Sequence, residues 1–171
     1  MIARKETALG RCTRGIGSAT WCWPANCDTP RPTRHLPPQP CLCAGTGAIG
    51  IEAISRGAGF VTFVDKSKKS CALIEENLDK LSVPESQTDI QGLAAENFTG
   101  REHSTGWDIA FFDPPYESDY GLVMHDFGFR TDLLRDDGVL VVEHHTKKQM
   151  PELIGGLRRW RVLKQGETSL S

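Results

Sequence analysis

Two short segments of this 171-residue chain hold reactive or ligand-binding residue types at spacings that chemistry uses. Asp113-Pro114-Pro115-Tyr116 is the more specific. Two successive prolines fix φ and stiffen the chain, so a carboxylate and a backbone carbonyl can be held in place with an aromatic ring beside them. Such a set suits an exocyclic amine on a flat base, whose two N–H groups need acceptors and whose ring needs a stacking surface. The competing structural reading is a rigid turn with a core tyrosine. Gly45-Thr46-Gly47-Ala48-Ile49-Gly50 fits the pattern G-x-G-x-x-G. Glycine there permits a tight turn and lets the backbone approach a ligand with no Cβ in the way. A plain strand-to-helix turn would use the same residues. Asp65, one strand further on, is where an acidic group can accept hydrogen bonds from both hydroxyls of a ribose. It could equally cap the following helix. Taken together, the loop and Asp65 point to an adenosine-bearing cofactor.

The elements that must position these residues alternate between strand and helix signals from Leu42 onward. A short apolar approach ends at Gly45, and Ala48 to Arg56 reads as a helix stopped by Gly57. Phe60 to Val64 is a buried strand ending at Asp65. A helix over residues 67–81 places Cys71, Ile74, Leu78 and Leu81 on one face. A weaker strand lies near Thr88 to Gln91, and Trp107 to Phe112 is a strand that stops at Asp113. The pattern continues with a helix including Leu122 to Leu134, a terminator at Asp136-Asp137-Gly138, and a strand over residues 139–143. A short helix over Pro151 to Leu157 and a final strand from Trp160 to Leu163 complete the reading. Continuous apolar strands separated by helices imply a mostly parallel sheet covered on both faces. The expected fold class is therefore α/β, doubly wound, and such sheets bind ligands outside the carboxyl ends of their strands.

Residues 1–41 differ in character. Six of the ten prolines lie there, with Trp21 and Trp23, and no period of 2 or 3.6 runs through them. Arg4, Lys5, Arg11, Arg14, Arg31 and Arg34 outnumber Glu6 and Asp28, a net of +4 within a chain of net charge −2. The segment reads as a poorly ordered basic arm, with the composition of an out-of-frame or truncated N-terminal extension. It could contact nucleic-acid phosphates or be a solvated tail. Five of the six cysteines precede Cys71, but their spacings match zinc patterns poorly, so no metal is expected. Without a secretory signal a disulfide framework is not expected either. No apolar run is long enough to span a membrane, and the expected location is the cytoplasm.

The motif-bearing region, about residues 42–171, resembles the Rossmann-fold S-adenosylmethionine-dependent methyltransferases. Within them it is most similar to the bacterial 16S ribosomal RNA guanine-N2 methyltransferases. The resemblance is carried by Leu42 to Ala53, Ser55 to Ala58, Val61 to Asp65, Asp113 to Tyr116 and Val141 to His144. It implies a Rossmann-like methyltransferase fold, S-adenosylmethionine as cofactor, and a 16S ribosomal RNA or small-subunit assembly particle as partner, with the enzyme acting as a monomer. Ala44, Gly45, Thr46, Gly47, Gly50, Asp65, Lys66 and Leu93 would then bind the cofactor. Asp113, Pro114 and Tyr116 would be catalytic. Pro115, Tyr116, Arg31, Lys147 and Lys148 would contact substrate, with Arg158, Arg159 and Arg161 as further phosphate candidates.

The chain departs from the family in three places. The family's first strand carries an acidic residue where Cys41 lies, behind Pro40, so both strand and acidic group are expected to be lost. Arg31-Pro32-Thr33 matches an RNA-holding motif, but too few residues separate it from Gly45 for the expected helix and strand. The acidic residue near adenine after the third strand is replaced around Leu93. Three other functions stay open: adenine-N6 or other amino methylation of DNA or RNA, a nicotinamide-dependent oxidoreductase, and a catalytically silent RNA-binding remnant.

Overall fold

A computed structural model describes residues 2–5, 39–104 and 106–171. Strands β1 (Ile2–Lys5), β2 (Gln39–Leu42), β3 (Val61–Val64), β4 (Thr88–Gln91), β5 (Trp107–Phe112) and β6 (Leu134–His145) build most of one sheet. Helices α1 (Ala48–Ser55), α2 (Lys68–Lys80), α3 (Ala95–Thr99) and α4 (Gly121–Phe129) cover it. Strands β7 (Leu153–Ile154), β8 (Leu157–Arg161), β9 (Leu163–Gln165) and β10 (Thr168–Leu170) follow. The order is β4-β3-β2-β5-β6-β1-β8-β7, with β10 also paired to β6 and β9 to β10. The first five of these strands are mutually parallel, and the rest are antiparallel to their neighbours. The fold is thus doubly wound and mostly parallel in its centre, as the alternation of strand and helix implies.

Side-chain alternation splits the core in two. Cys41, Val61 and Phe63 face Ile74 and Leu78 of α2. Their strand neighbours Leu42, Val64 and Phe112 pack with Phe98 of α3 and Val123 and Phe127 of α4 on the other face. A strand whose successive residues are buried on opposite faces needs an apolar residue at every position, which is why these strands read as unbroken apolar runs.

The structure corrects four expectations. The first strand is present: β2 begins at Gln39 and pairs with β3 along its whole length. Pro40 is tolerated because pairing with β5 begins only at Cys41, so no ladder bond is asked of the missing N–H. The helix expected to reach Leu134 ends at Phe129. Arg130 turns extended there, its guanidinium held by Thr99 O at 2.5 Å, Arg101 O at 2.6 Å and the Asp132 carboxylate. Asp136-Asp137-Gly138 therefore lies inside β6 rather than ending a helix, and a Cβ on Gly138 would come within 2.7 Å of Trp107 O. Pro151 to Leu157 is not helical; β7 and β8 form a hairpin around Gly155-Gly156, with Gly155 at φ +53. Two consecutive glycines between apolar pairs are a hairpin signal. Residues 2–5 form β1 within the stretch read as an arm, and residues 6–38, including Arg31 and the Arg31-Pro32-Thr33 match, lie outside the described residues.

Candidate active site

The site forms where the sheet changes direction. From β2 the chain winds outward through β3 and β4, and then returns to the other side of β2 as β5. Such a switch point leaves a crevice at the carboxyl ends of the two central strands. Leu42 and Phe112 are register partners, and Asp113 donates its N–H to Leu42 O at 3.2 Å. The glycine loop after β2 and the DPPY segment after β5 therefore leave the sheet side by side.

The glycines of the loop divide their tasks. Gly45, at φ +56, borders a cavity of about 680 Å³ and would have nothing within 4 Å of an added Cβ, so its backbone is open to a ligand. Gly47, at φ +80, is the N-cap of α1. Gly50 is buried against the sheet, where a Cβ would be 2.7 Å from Phe63 Cζ and closer still to Cε1. Asp65 holds the loop in shape: Oδ2 accepts from Gly45 N at 2.9 Å and Oδ1 from Ser67 N at 2.8 Å. The cap of α2 is Ser67, whose hydroxyl accepts from Ser70 N at 3.3 Å.

Gly45, Asp65, Lys66, Leu93, Asp113, Pro114, Pro115 and Tyr116 all line this one cavity. Ala44, Thr46, Gly47 and Gly50 support the loop from behind it: Ala44 N bonds Val64 O at 3.0 Å, and Thr46 O accepts from Asn77 Nδ2 at 2.9 Å. The structure adds Cys43, Glu96 and Glu143 to the wall. Glu96 carries no signal in the sequence, because α3 is only five residues long, too short to show a helical period. Glu143 was read only as part of an apolar strand. Its signal was available, since it is the acidic residue near the carboxyl end of the strand next to β5.

Five carboxylates (Asp65, Glu96, Asp113, Asp119 and Glu143) face the cavity against one lysine, Lys66. Burial holds the Asp113 carboxyl above its ordinary value. Glu143 is raised in the same sense, by burial and then by the charge of Asp113. Cys43, at φ +60, is pushed up to about 12 by burial and then by Asp65, Asp113 and Glu96, so its thiol stays protonated and inert at neutral pH. A wall of this kind suits a ligand that carries positive charge, and the open backbone at Gly45 suits one that lies flat along the loop.

The DPPY side of the cavity is tied to the β9–β10 hairpin. Tyr116 Oη lies 2.7 Å from Thr168 Oγ1, and its ring meets His145 edge-on at 5.5 Å. Lys148 Nζ donates to Tyr116 O at 3.2 Å and Ser118 O at 2.8 Å, and sits 3.4 Å from the centre of the Tyr120 ring. Lys148 thus clamps the DPPY segment, whereas Lys147 is exposed. Arg159 donates to Met150 O at 2.7 Å and pairs with Glu152.

Comparison with known proteins gives a consistent picture. The family model described as conserved hypothetical protein 95 matches residues 40–171. The Bacillus subtilis protein YlbH, provisionally named an rRNA methyltransferase, is 30% identical over 131 residues, covering 76% of this chain and 71% of that one. Ribosomal RNA small subunit methyltransferase D of Haemophilus influenzae is 26% identical over 128 residues, and the chain spans 64% of its length. A solved structure of a conserved hypothetical protein from Streptococcus pyogenes superposes with a TM-score of 0.69 at 26% identity, covering 78% of this chain and 82% of that one.

Proposed function

We propose, from the premise that this chain belongs to the conserved hypothetical protein 95 family, that it transfers a methyl group from S-adenosylmethionine to the exocyclic N2 of a guanine in small-subunit ribosomal RNA. The observation that carries the reading is the meeting of the glycine loop and the DPPY segment on one acid-lined cavity. Residues 42–171 would form the methyltransferase domain, acting as a monomer in the cytoplasm on 16S ribosomal RNA or an assembling small subunit. No helix among the described residues is long and apolar enough to cross a membrane.

S-adenosylmethionine supplies an electrophilic methyl group on a positively charged sulfur. Gly45 would offer it open backbone, Asp65 would offer carboxylate oxygens to its ribose, and Lys66 and Leu93, which line the same cavity, would border it. Asp113 and the Pro114 carbonyl accept the two N–H groups of the guanine amine, turning its lone pair out of ring conjugation. The N–C bond would form as the C–S bond breaks, with S-adenosylhomocysteine as the leaving group, and the amine proton made acidic by the new bond would pass to the Asp113 carboxylate. Tyr116 presents a ring for the extruded base to stack on. Positioning of this sort can contribute about 7–11 kcal/mol to lowering a barrier. The same acidic wall repels phosphates, so RNA backbone contacts must lie outside the cavity, where exposed Lys147 is a candidate.

The deciding experiment is tritiated-methyl transfer onto small-subunit ribosomal RNA and onto DNA, followed by nucleoside analysis. Label in N2-methylguanosine is the expected result; label in N6-methyladenine would replace the guanine reading with the adenine one. Two substitutions test the parts. Asp65→Ala should weaken S-adenosylmethionine binding by roughly 1.5–3 kcal/mol for each charge-assisted bond lost, read by calorimetry. Unchanged affinity would reduce Asp65 to a loop brace. Tyr116→Ala should raise KM for RNA through loss of about 1–3 kcal/mol of stacking. Tyr116→Phe keeps the ring and loses only the Thr168 bond, so its KM should stay close to that of the parent.

A further inference from the structure

The proposed reaction needs the amine of one base to be chosen over the amines of others, and Asp113 and Pro114 alone do not choose, because every exocyclic amine offers them the same two N–H groups. What differs between bases is the ring nitrogen beside the amine. Guanine alone carries a hydrogen on a ring nitrogen beside its amine, on N1 with a bare N3 on the other side, whereas adenine and cytosine present only a bare lone pair.

Glu143 lies on β6, whose neighbour in the sheet is β5, and Phe112, the residue before Asp113, is the register partner of Val142, the residue before Glu143. Asp113, just past the end of β5, and Glu143, within β6, each follow one member of this pair, and both line the cavity. Both are partly buried, and among the described residues neither carboxylate accepts a hydrogen bond from the protein. Behind the wall, at a residue that does not itself line the cavity, another polar group is left without a partner among the described residues. The Tyr120 hydroxyl is buried and unbonded in a residue only 4% exposed; Lys148 sits over its ring, and the groups that push its phenol up after burial include Asp113, Tyr116, Cys43 and Glu143. All four line the cavity. Buried polar groups left unpaired within a protein are costly to the fold, and a ligand with complementary groups removes that cost.

On the reading that the cavity methylates a base amine, we infer that Glu143 is the specificity-determining residue, accepting the N1–H of guanine while Asp113 and the Pro114 carbonyl accept the neighbouring amine. A base with a lone pair at that position meets the carboxylate with two acceptors facing each other. Crowding of the two carboxylates supports the assignment, since each is held above its ordinary value by burial and Glu143 further by Asp113. A pair of donors on one base edge relieves both.

The test measures base recognition apart from turnover. The full chain, saturated with S-adenosylhomocysteine, is titrated with guanosine 5′-monophosphate, adenosine 5′-monophosphate and the 5′-monophosphate of 2-aminopurine riboside, and binding is followed by NMR shifts. 2-Aminopurine keeps the N2 amine but presents a bare N1. Wild type should bind the guanine nucleotide about 10- to 100-fold more tightly than either of the others, the cost of an unmet donor or acceptor. Glu143→Gln, whose amide can either donate or accept, should bring the three within a few fold. Equal wild-type affinity for the guanine and 2-aminopurine nucleotides overturns the assignment, and it needs no variant. A guanine preference that survives Glu143→Gln overturns it too, while leaving guanine as the substrate. Tightest binding of the adenine nucleotide would instead sink the guanine reading itself. Absence of binding by all three would show that the cavity does not read a base edge and overturn the assignment.

Discussion

Asp113→Ala is expected to lower methyl transfer to RNA by about 10²–10³, equivalent to roughly 3–4 kcal/mol, while S-adenosylmethionine affinity stays within a few fold. The separation is spatial. Asp113 follows the end of β5, whereas the loop that would hold the cofactor is shaped by Asp65 and anchored to β3 and α2. Single-turnover rates and calorimetry on the same variant check both halves. Turnover near the parent value would reduce the DPPY segment to a rigid turn. Asp113→Asn adds a stability test whose sign follows from linkage. Burial raises the folded-state carboxyl above its unfolded value, so the fold favours the neutral acid. Stability from this group is full below the ordinary aspartate value of 3.8 and is lost as pH rises through the folded value. At neutral pH the ionised carboxylate is therefore a burden on the fold. Asp113→Asn should melt higher than the parent at pH 7, and the difference should vanish in acid. A variant that gains stability while losing activity is the usual mark of a site held against the preference of the fold.

Phe63→Ala is expected to cost about 3–5 kcal/mol of folding stability, the usual range for deleting a buried phenylalanine. Phe63 is fully buried on β3, packed with Val61, Ile74 and Leu78. Its ring is also what Gly50 and Gly47 rest on: an added Cβ at Gly47 would be 3.3 Å from Phe63 Cε1. The variant should therefore lose cofactor affinity along with stability, because the loop loses its floor. Urea denaturation checks the first and calorimetry on the folded fraction the second. Leu73→Ala, at a residue 39% exposed on α2, is the control and should stay within about 0.5 kcal/mol of the parent. A loss at Phe63 no greater than that of the control would mean the third glycine of the loop is not there for packing.

The sequence disclosed the central sheet because its strands are buried on both faces and must be apolar throughout; β4 and β5 run over the very residues their composition suggested. It disclosed the glycine loop, Asp65 and the DPPY segment because each follows a strand. What stayed hidden has physical causes. Pro40 argues against a strand unless one knows that β5 begins its pairing one residue later. The end of α4 is dictated by contacts of the Arg130 guanidinium with Thr99 and Arg101, about thirty residues away in the chain. Glu143 was in plain view, but only its register against β5 turns a strand residue into a partner of Asp113. Lys148 is a candidate substrate contact in the sequence, and nothing there shows that its ammonium donates to the carbonyls of Tyr116 and Ser118.

Those same ties give the DPPY side of the site a collective behaviour. Tyr116 is fastened through its hydroxyl to Thr168 on β10 and through its carbonyl to Lys148, while β10 is held by β6 and β9. A segment laced in this way cannot fray alone. In native-state hydrogen exchange, the amides of residues 116–119 and of β9 and β10 should open as one unit with a shared free energy, distinct from that of the sheet centre. Lys148→Met would split this unit, letting the DPPY segment exchange ahead of the hairpin that now restrains it.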